Sequence, residues 1–134
     1  MAVFDRARLA DVFGDAVEHD ADRAAAALTH GFEAEPFLAG HFPGFPVVPG
    51  VILLDGMILA ALRALDRLGG AQAEIGAAEI GTVAFHRPVL PGMAARFSAR
   101  LDSRDEAAGR FAFKCSVTVG TARHARASIS LSTR

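Results

Sequence analysis

The sequence contains a single cysteine, Cys115, among its 134 residues. One thiol can form neither an internal disulfide nor a cysteine-based metal cluster, which excludes the disulfide-stabilised class of small secreted proteins. A protein of this kind fits a reducing compartment, so the cytoplasm is the expected location. No metal site and no cofactor are predicted.

The chain also lacks an excess of charge of either sign. Its 14 basic and 15 acidic residues leave a formal net charge of -1. A nucleic-acid-binding protein usually carries a clear positive excess, so nucleic acid is not an expected partner. Apolar residues make up 51% and charged residues 22% of the chain, which is typical of a globular protein.

Long hydrophobic runs are missing as well. The longest one, residues 51–62, is shorter than the roughly 20 residues that a membrane-spanning helix needs. The N-terminus has no apolar signal core, and no internal repeat or low-complexity linker is visible. We therefore expect residues 1–134 to form one soluble domain with its own core.

Helical patterning is confined to the first half of the chain. Apolar residues at helical spacing predict a short helix within residues 3–17. Pro49-Gly50 suits the start of a helix, and residues 51–62 are apolar at nearly every position, which predicts a helix surrounded on all sides. Gly69-Gly70 should end it.

Beyond residue 70 the hydrophobic period changes to two, which predicts half-buried strands. The alternating segments are residues 95–101, 111–119 and 125–131, with a fourth strand at 74–85. Gly76 and Gly81 within that fourth segment predict bulges or close backbone contacts. One buried helix on an antiparallel sheet is an α+β arrangement. Residues 23–30 stay open between a helix, favoured by alanine, and a strand.

Two segments resemble one enzyme family. GHFPGFPVVPGVILLDGM, residues 40–57, resembles the active-site signature of the 3-hydroxyacyl-[acyl carrier protein] dehydratases of fatty acid and polyketide synthesis. VAFHRPVLPGM, residues 83–93, is similar to a second segment of that family. The resemblance covers roughly residues 34–131. It implies a hotdog fold, an antiparallel sheet wrapped around a long central helix, and it implies a strand at residues 23–30.

The polar residues of the first segment suit this chemistry. The imidazole of His41 can exchange a proton near neutral pH. Asp55 has only apolar neighbours on its N-terminal side, from residue 51 to residue 54, so its pKa should rise or it should meet a partner. It is therefore a candidate general acid, with pairing to an arginine or capping of a strand as the structural alternatives.

The resemblance implies loss of water from a 3-hydroxyacyl thioester, which gives the trans-2-enoyl thioester. His41 would be the base, and Asp55 would assist departure of the hydroxyl group. Backbone amides of Gly50 and Val51 at the helix start would hold the thioester carbonyl oxygen. In the family the histidine and the acid of one site come from different subunits, so the implied active unit is a homodimer with composite sites.

The acyl chain would occupy a tunnel lined by apolar residues. Those predicted to line it are Phe42, Phe45, Val48, Pro49, Leu59 and Phe85. The substrate would be carried by acyl carrier protein or by coenzyme A. An acidic carrier would be attracted by arginines at the tunnel mouth, for which Arg63, Arg87 and Arg96 are candidates, unless they are merely solvated.

Two positions of the motif bear on the activity that the resemblance implies. Leu59 occupies the place of a family glutamine, and an aspartate at position 55 is known in the isomerising branch, which leaves isomerase activity open. A hotdog thioesterase and a non-catalytic acyl-binding partner subunit are the alternative functions. Gly56 lowers helix propensity, which predicts close packing against a partner helix or the substrate.

The remaining reactive side chains are predicted to be structural. His19, His30, His86 and His124 are interpreted as surface or strand residues, and Cys115 as packing on the apolar side of its strand.

Overall fold

The computed structural model describes residues 6–14, 16–20, 24–32, 47–69 and 74–133. Within these residues the helices are α1 (Arg6–Phe13) and α2 (Gly50–Gly69). The strands are β1 (Glu18–Asp20), β2 (Ala25–Gly31), β3 (Ile75–Phe85), β4 (Ala94–Asp105), β5 (Arg110–Val119) and β6 (Ala122–Thr133). All six strands form one antiparallel sheet in the order β1-β2-β4-β5-β6-β3. The α+β prediction is confirmed.

Helix α2 lies against the inner face of this sheet. Met57, Leu59 and Leu62 of the helix have no exposed surface, and they share the core with Phe97 and Ile129 of the sheet. Each such side chain stabilises the fold by about 1.5–3 kcal/mol when it leaves water. The core therefore forms between one apolar helix and the inward-facing residues of the strands.

The first turns of α2 are less enclosed than the sequence predicted. Val51 is 63% exposed, and Ile52, Leu54 and Asp55 are only half-buried. From Gly56 to Leu62, by contrast, every residue of the helix is buried. An apolar surface is thus left at the start of the helix within a single chain.

The strand implied for residues 23–30 is confirmed as β2. It pairs with β4 along its whole length, from Ala25 opposite Arg100 to Gly31 opposite Ala94. Pairing with a neighbouring strand and inward packing of Leu28 outweigh the helix propensity of the alanines. Helix α1 ends at Phe13, earlier than predicted, because Gly14 adopts a φ of 81° and closes it.

Both glycine positions in β3 coincide with irregular pairing, as predicted. The register between β3 and β6 shifts between Ile75 and Ala77 and again between Ile80 and Val83. These intervals contain Gly76 and Gly81, and a bulge at a glycine is a common way for a strand to bend.

A further shift occurs in β6, where Val117 pairs with Ala125 but Thr118 pairs with Arg123. His124 is therefore an extra residue, and it turns inward beside Ala125. Its exposed fraction is only 6%. Of the predicted alternatives, a surface or a strand residue, His124 is a buried strand residue, because the bulge turns it inward where strict alternation with Ala125 would have put it on the outer face.

Two other reactive side chains serve in packing. Cys115 is buried, and burial raises the pKa of its thiol to about 12, so the packing role predicted for it is confirmed. His30 lies edge-on against the rings of Phe13 and Phe32, at centroid distances of 5.5 and 4.5 Å. This ring cluster joins α1 to β2.

Gly56 is explained by the sheet of its own chain. A Cβ atom at this position would overlap the ring of Phe97 on β4. Phe97 has no exposed surface and cannot move aside. The close packing predicted for Gly56 is present, but the neighbour is this phenylalanine rather than a partner helix or a substrate.

Replacement of Gly56 by alanine should lower the free energy of unfolding by about 1–3 kcal/mol, because overlap with a fixed core ring outweighs the gain in helix propensity. Urea denaturation measures the change. Gly31→Ala is the matched control, since the nearest atom to its added methyl group is the Met93 carbonyl oxygen at 3.9 Å, and it should leave stability nearly unchanged. A G56A protein as stable as the parent would contradict this account of the packing.

Candidate active site

The start of α2 presents two backbone donors. The carbonyl oxygen of Pro49 accepts hydrogen bonds from the N–H groups of Ile52 and Leu53, at 3.0 and 3.2 Å, which closes the first turn. Among the described residues the N–H groups of Gly50 and Val51 have no such acceptor, as expected for the first positions of a helix. The positive end of the helix dipole adds to their attraction for a negatively charged oxygen.

A cleft of about 300 Å³ lies beside these donors. It is lined by Val47, Val48, Gly50, Leu53, Phe85, His86, Arg87 and Pro88. A side chain at position 50 would come within 2.9 Å of Cζ of Phe85, so only glycine lets this ring lie close to the helix start. The structure thus brings Val48, Gly50 and Phe85 together, three of the residues that the sequence predicted.

The wall of the cleft is held by His124. Nδ1 of His124 lies 3.1 Å from the carbonyl oxygen of Pro88, to which it donates in the tautomer that carries a proton there. The backbone oxygen of His124 accepts hydrogen bonds from the N–H groups of His86 and Arg87, at 2.8 and 3.2 Å. This contribution was missed from the sequence, because it depends on the bulge that turns His124 inward.

The same wall is joined to the segment before α2. The N–H group of Val48 donates to the carbonyl oxygen of Val89 at 2.8 Å, and both side chains are buried. The loop after β3 and the approach to α2 are therefore positioned against each other by one backbone hydrogen bond and shared apolar packing.

Asp55 lies one turn beyond Val51 on the same face of α2, and it is half-buried. Burial raises the pKa of its carboxyl group, while the positive charge of Arg8 on α1 opposes the rise without cancelling it. The raised pKa expected from the apolar surroundings is confirmed. The arginine alternative also holds in part, although nothing in the sequence pointed to Arg8.

Asp55 and the cleft face different directions in one chain. Successive residues of a helix are about 100° apart, so Asp55 lies about 140° around the axis from Gly50. The predicted residues His41, Phe42 and Phe45 lie outside the described ranges.

The other predicted residues, Pro49 and Leu59, lie just before the start of α2 and further along the helix. Pro49 is half-buried directly before the helix. Leu59 is wholly enclosed by the core, two turns further along the helix than the residues that line the cleft. Its contacts are therefore those of a core residue within the chain.

Two classes of site or segment are not found in the described part of the chain. It contains no cluster of three or more histidine, cysteine or acidic side chains placed to hold a metal ion. None of its helices is long and apolar enough to cross a bilayer.

The raised pKa of Asp55 predicts how stability depends on pH. The folded protein binds the Asp55 proton more tightly than the unfolded chain does. The free energy of unfolding therefore falls as pH rises from the ordinary aspartate pKa to the raised value. Asp55→Asn removes that ionisation, so at neutral pH it should unfold at higher urea concentration than the parent. Its stability should also fall less across that window.

Urea titrations between about pH 4 and pH 8 test this expectation. Asp102→Asn, which removes the same charge from an exposed strand position, is the control and should leave the midpoint at neutral pH unchanged. Lower stability of D55N than of the parent at neutral pH would show that the carboxylate is stabilised in the fold.

Comparison with known proteins identifies the family of the chain. The family described as ApeI-like (ApeI dehydratase) matches residues 17–126. A FabZ 3-hydroxyacyl-[acyl-carrier-protein] dehydratase of Polynucleobacter asymbioticus is 37% identical over 101 residues, 75% of this chain and 66% of the relative. A FabZ of a Wolbachia species from Drosophila simulans is 32% identical over 117 residues, 85% of this chain and 79% of the relative. The chain thus spans about two thirds of the Polynucleobacter protein.

Solved structures share the fold at low sequence identity. The dehydratase heterocomplex ApeI:P from Xenorhabdus doucetiae superposes with a TM-score of 0.61 at 19% identity, covering 87% of this chain and 94% of that chain. An acyl-CoA hydrolase from Staphylococcus aureus gives 0.65 at 13% identity, over 84% and 64%. These likenesses confirm the hotdog fold. With the family match over most of its length, the chain belongs to the ApeI-like dehydratases.

Proposed function

We propose that the protein removes water from a 3-hydroxyacyl thioester and releases the trans-2-enoyl thioester, with acyl carrier protein as the carrier. The observation that carries the proposal is the start of α2, where two backbone amides without an acceptor among the described residues adjoin an apolar cleft. Membership of a dehydratase family and similarity to FabZ enzymes support the same reaction.

The free amides suit the first step of this reaction. The proton on the carbon next to a thioester carbonyl is only weakly acidic, so negative charge must be stabilised on the carbonyl oxygen as the proton leaves. Donors from Gly50 and Val51, together with the helix dipole, would hold that oxygen. The backbone amides of Gly50 and Val51 are fixed by the first turn of α2, so they need no rearrangement as charge develops on the oxygen.

Proton transfer would be shared between His41 and Asp55. The imidazole of His41 takes the proton from the α-carbon, a role that comes from the family motif. Asp55, which its raised pKa keeps protonated to higher pH, gives its proton to the 3-hydroxyl group as the carbon–oxygen bond breaks, and water leaves. Return of a proton from His41 to Asp55 through water restores both groups.

Two chains are proposed to build each site. Asp55 points away from the cleft of its own chain, so a cleft needs the acid of another subunit. The surface around Val51 is apolar and exposed, and β3 is an eleven-residue edge strand with Ile80 41% exposed. Long apolar edge strands tend to pair with another chain. A homodimer with composite sites would cover the apolar surface around Val51 and would also pair the exposed edge of β3.

Arg87 is the arginine best placed to meet an acidic carrier. It lines the cleft and is exposed. By contrast, Arg96 is paired with Glu18 at 3.0 Å, and Arg63 lies half-buried near Asp66. Of the three arginines considered from the sequence, only Arg87 adjoins the helix start, so we assign carrier attraction to it.

Incubation with a 3-hydroxyacyl thioester on acyl carrier protein tests the function. We expect enoyl thioester, detected by its ultraviolet absorbance. Free thiol would instead indicate a thioesterase, and neither product a non-catalytic subunit. His41→Ala and Asp55→Asn should each lower kcat by about 100-fold or more, whereas Asp102→Asn should keep full activity. Dehydration that survives in H41A would refute the assigned base.

Mixing inactive subunits tests the composite site. If His41 and Asp55 of one site come from different chains, H41A and D55N proteins that are unfolded and refolded together should regain up to about a quarter of parental activity. Half of the dimers would then be mixed, and each would hold one intact site. No recovery in mixtures that do form dimers would place both groups in one chain.

The dimer edge has its own control. Ile80→Lys places a charge on the proposed β3 edge, and light scattering should show dissociation together with loss of activity. Thr121→Lys, in the turn after β5, should remain dimeric and active. Dimers only with a second gene product, as for the Xenorhabdus heterocomplex, would replace the homodimer.

A further inference from the structure

The outer face of the sheet, turned away from α2, carries a compact group of cations. Arg100 on β4 lies opposite Lys114 on β5, and Arg126 on β6 lies opposite Ser116, two residues further along β5. Between them, Ala99 and Cys115 point inward and are buried in the core. With strands about 4.8 Å apart and a rise of about 3.4 Å per residue, the three backbone positions lie within about 12 Å.

These residues line a groove of about 490 Å³. Arg123, three residues before Arg126 on β6, lines it as well. The volume falls within the roughly 300–1,000 Å³ of small-molecule sites. The groove lies on the opposite side of the sheet from the helix start that carries the candidate active site.

The arginines in this groove differ from their neighbours in pairing. Arg96, Arg104 and Arg110 on the same strands each pair with a glutamate, at 3.0, 3.7 and 2.7 Å. Within the described ranges, Arg100 and Arg126 form no ion pair, and no carboxylate lines the groove. Like charges held this close repel one another, and a bound anion would remove that repulsion.

Serine hydroxyl groups lie between these cations in the groove. Oγ of Ser98 and Oγ of Ser116 lie 2.8 Å apart in a hydrogen bond. Nζ of Lys114 donates to Oγ of Ser128 at 3.3 Å. Guanidinium groups and hydroxyl donors together match the oxygen atoms of phosphate groups.

We propose that this groove binds a small organic phosphate with two or more phosphate groups, of the size of a nucleoside di- or triphosphate. Arg100, Lys114 and Arg126 place three positive charges on backbone positions within about 12 Å, which fits the adjacent phosphate groups of one small molecule. The site is independent of the proposed dehydration, because it uses the other face of the sheet.

Calorimetric titration of the full chain with ATP, without divalent cations and at constant ionic strength, tests the proposal. We expect one saturable site per chain. The double variant Arg100→Ala/Arg126→Ala should weaken binding at least tenfold. Arg104→Ala/Arg110→Ala, which removes the same charge from arginines that are paired outside the groove, should change Kd less than twofold.

Other results would overturn the site. They are absence of saturable binding, equal weakening in both double variants, failure of inorganic pyrophosphate to compete with ATP, or tighter binding of poly-glutamate than of ATP. The last result would assign the groove to an acidic protein. All four arginines are exposed, so the variants should fold. Circular dichroism checks this, and glutamine replaces alanine if either double variant loses sheet signal.

Discussion

The contact between Gly56 and the ring of Phe97 determines how closely α2 approaches the sheet. A side chain at position 56 would hold the helix away from β4 and loosen the core along its length. The helix start lies about two turns before this contact. The distance between the helix and the sheet therefore also decides whether Gly50 approaches Phe85. The cleft beside the free amides therefore depends on a packing constraint outside the cleft itself.

A second constraint comes from the irregularity in β6. The bulge turns His124 inward, and its side chain and backbone hold the loop that follows β3. Through Val89 that loop is bonded to Val48, immediately before α2. The two segments that resemble the dehydratase family, far apart in the sequence, thus meet at one wall of the cleft, which gives a physical reason for their joint presence.

For the proposed dehydration, one chain presents only part of the site. Asp55 and the cleft face different sides of α2, and the apolar surface at Val51 and the edge strand at Ile80 are both uncovered. An acid with a raised pKa is useful to a dehydratase only where it meets the substrate. Pairing of two chains would bury the apolar surface and bring the acid to a cleft in the same step, which links assembly to activity.

Much of the fold could be predicted from local pattern. Two-residue alternation predicted β4, β5 and β6, the apolar run predicted α2, and the apolar surroundings of Asp55 predicted its raised pKa, because period and composition are properties of short segments. Non-local pairing decided the rest. It made β2 a strand, turned His124 inward, set Arg8 near Asp55, enclosed Leu59 and gathered the cations of the outer face, since each of these depends on which distant segments share a register.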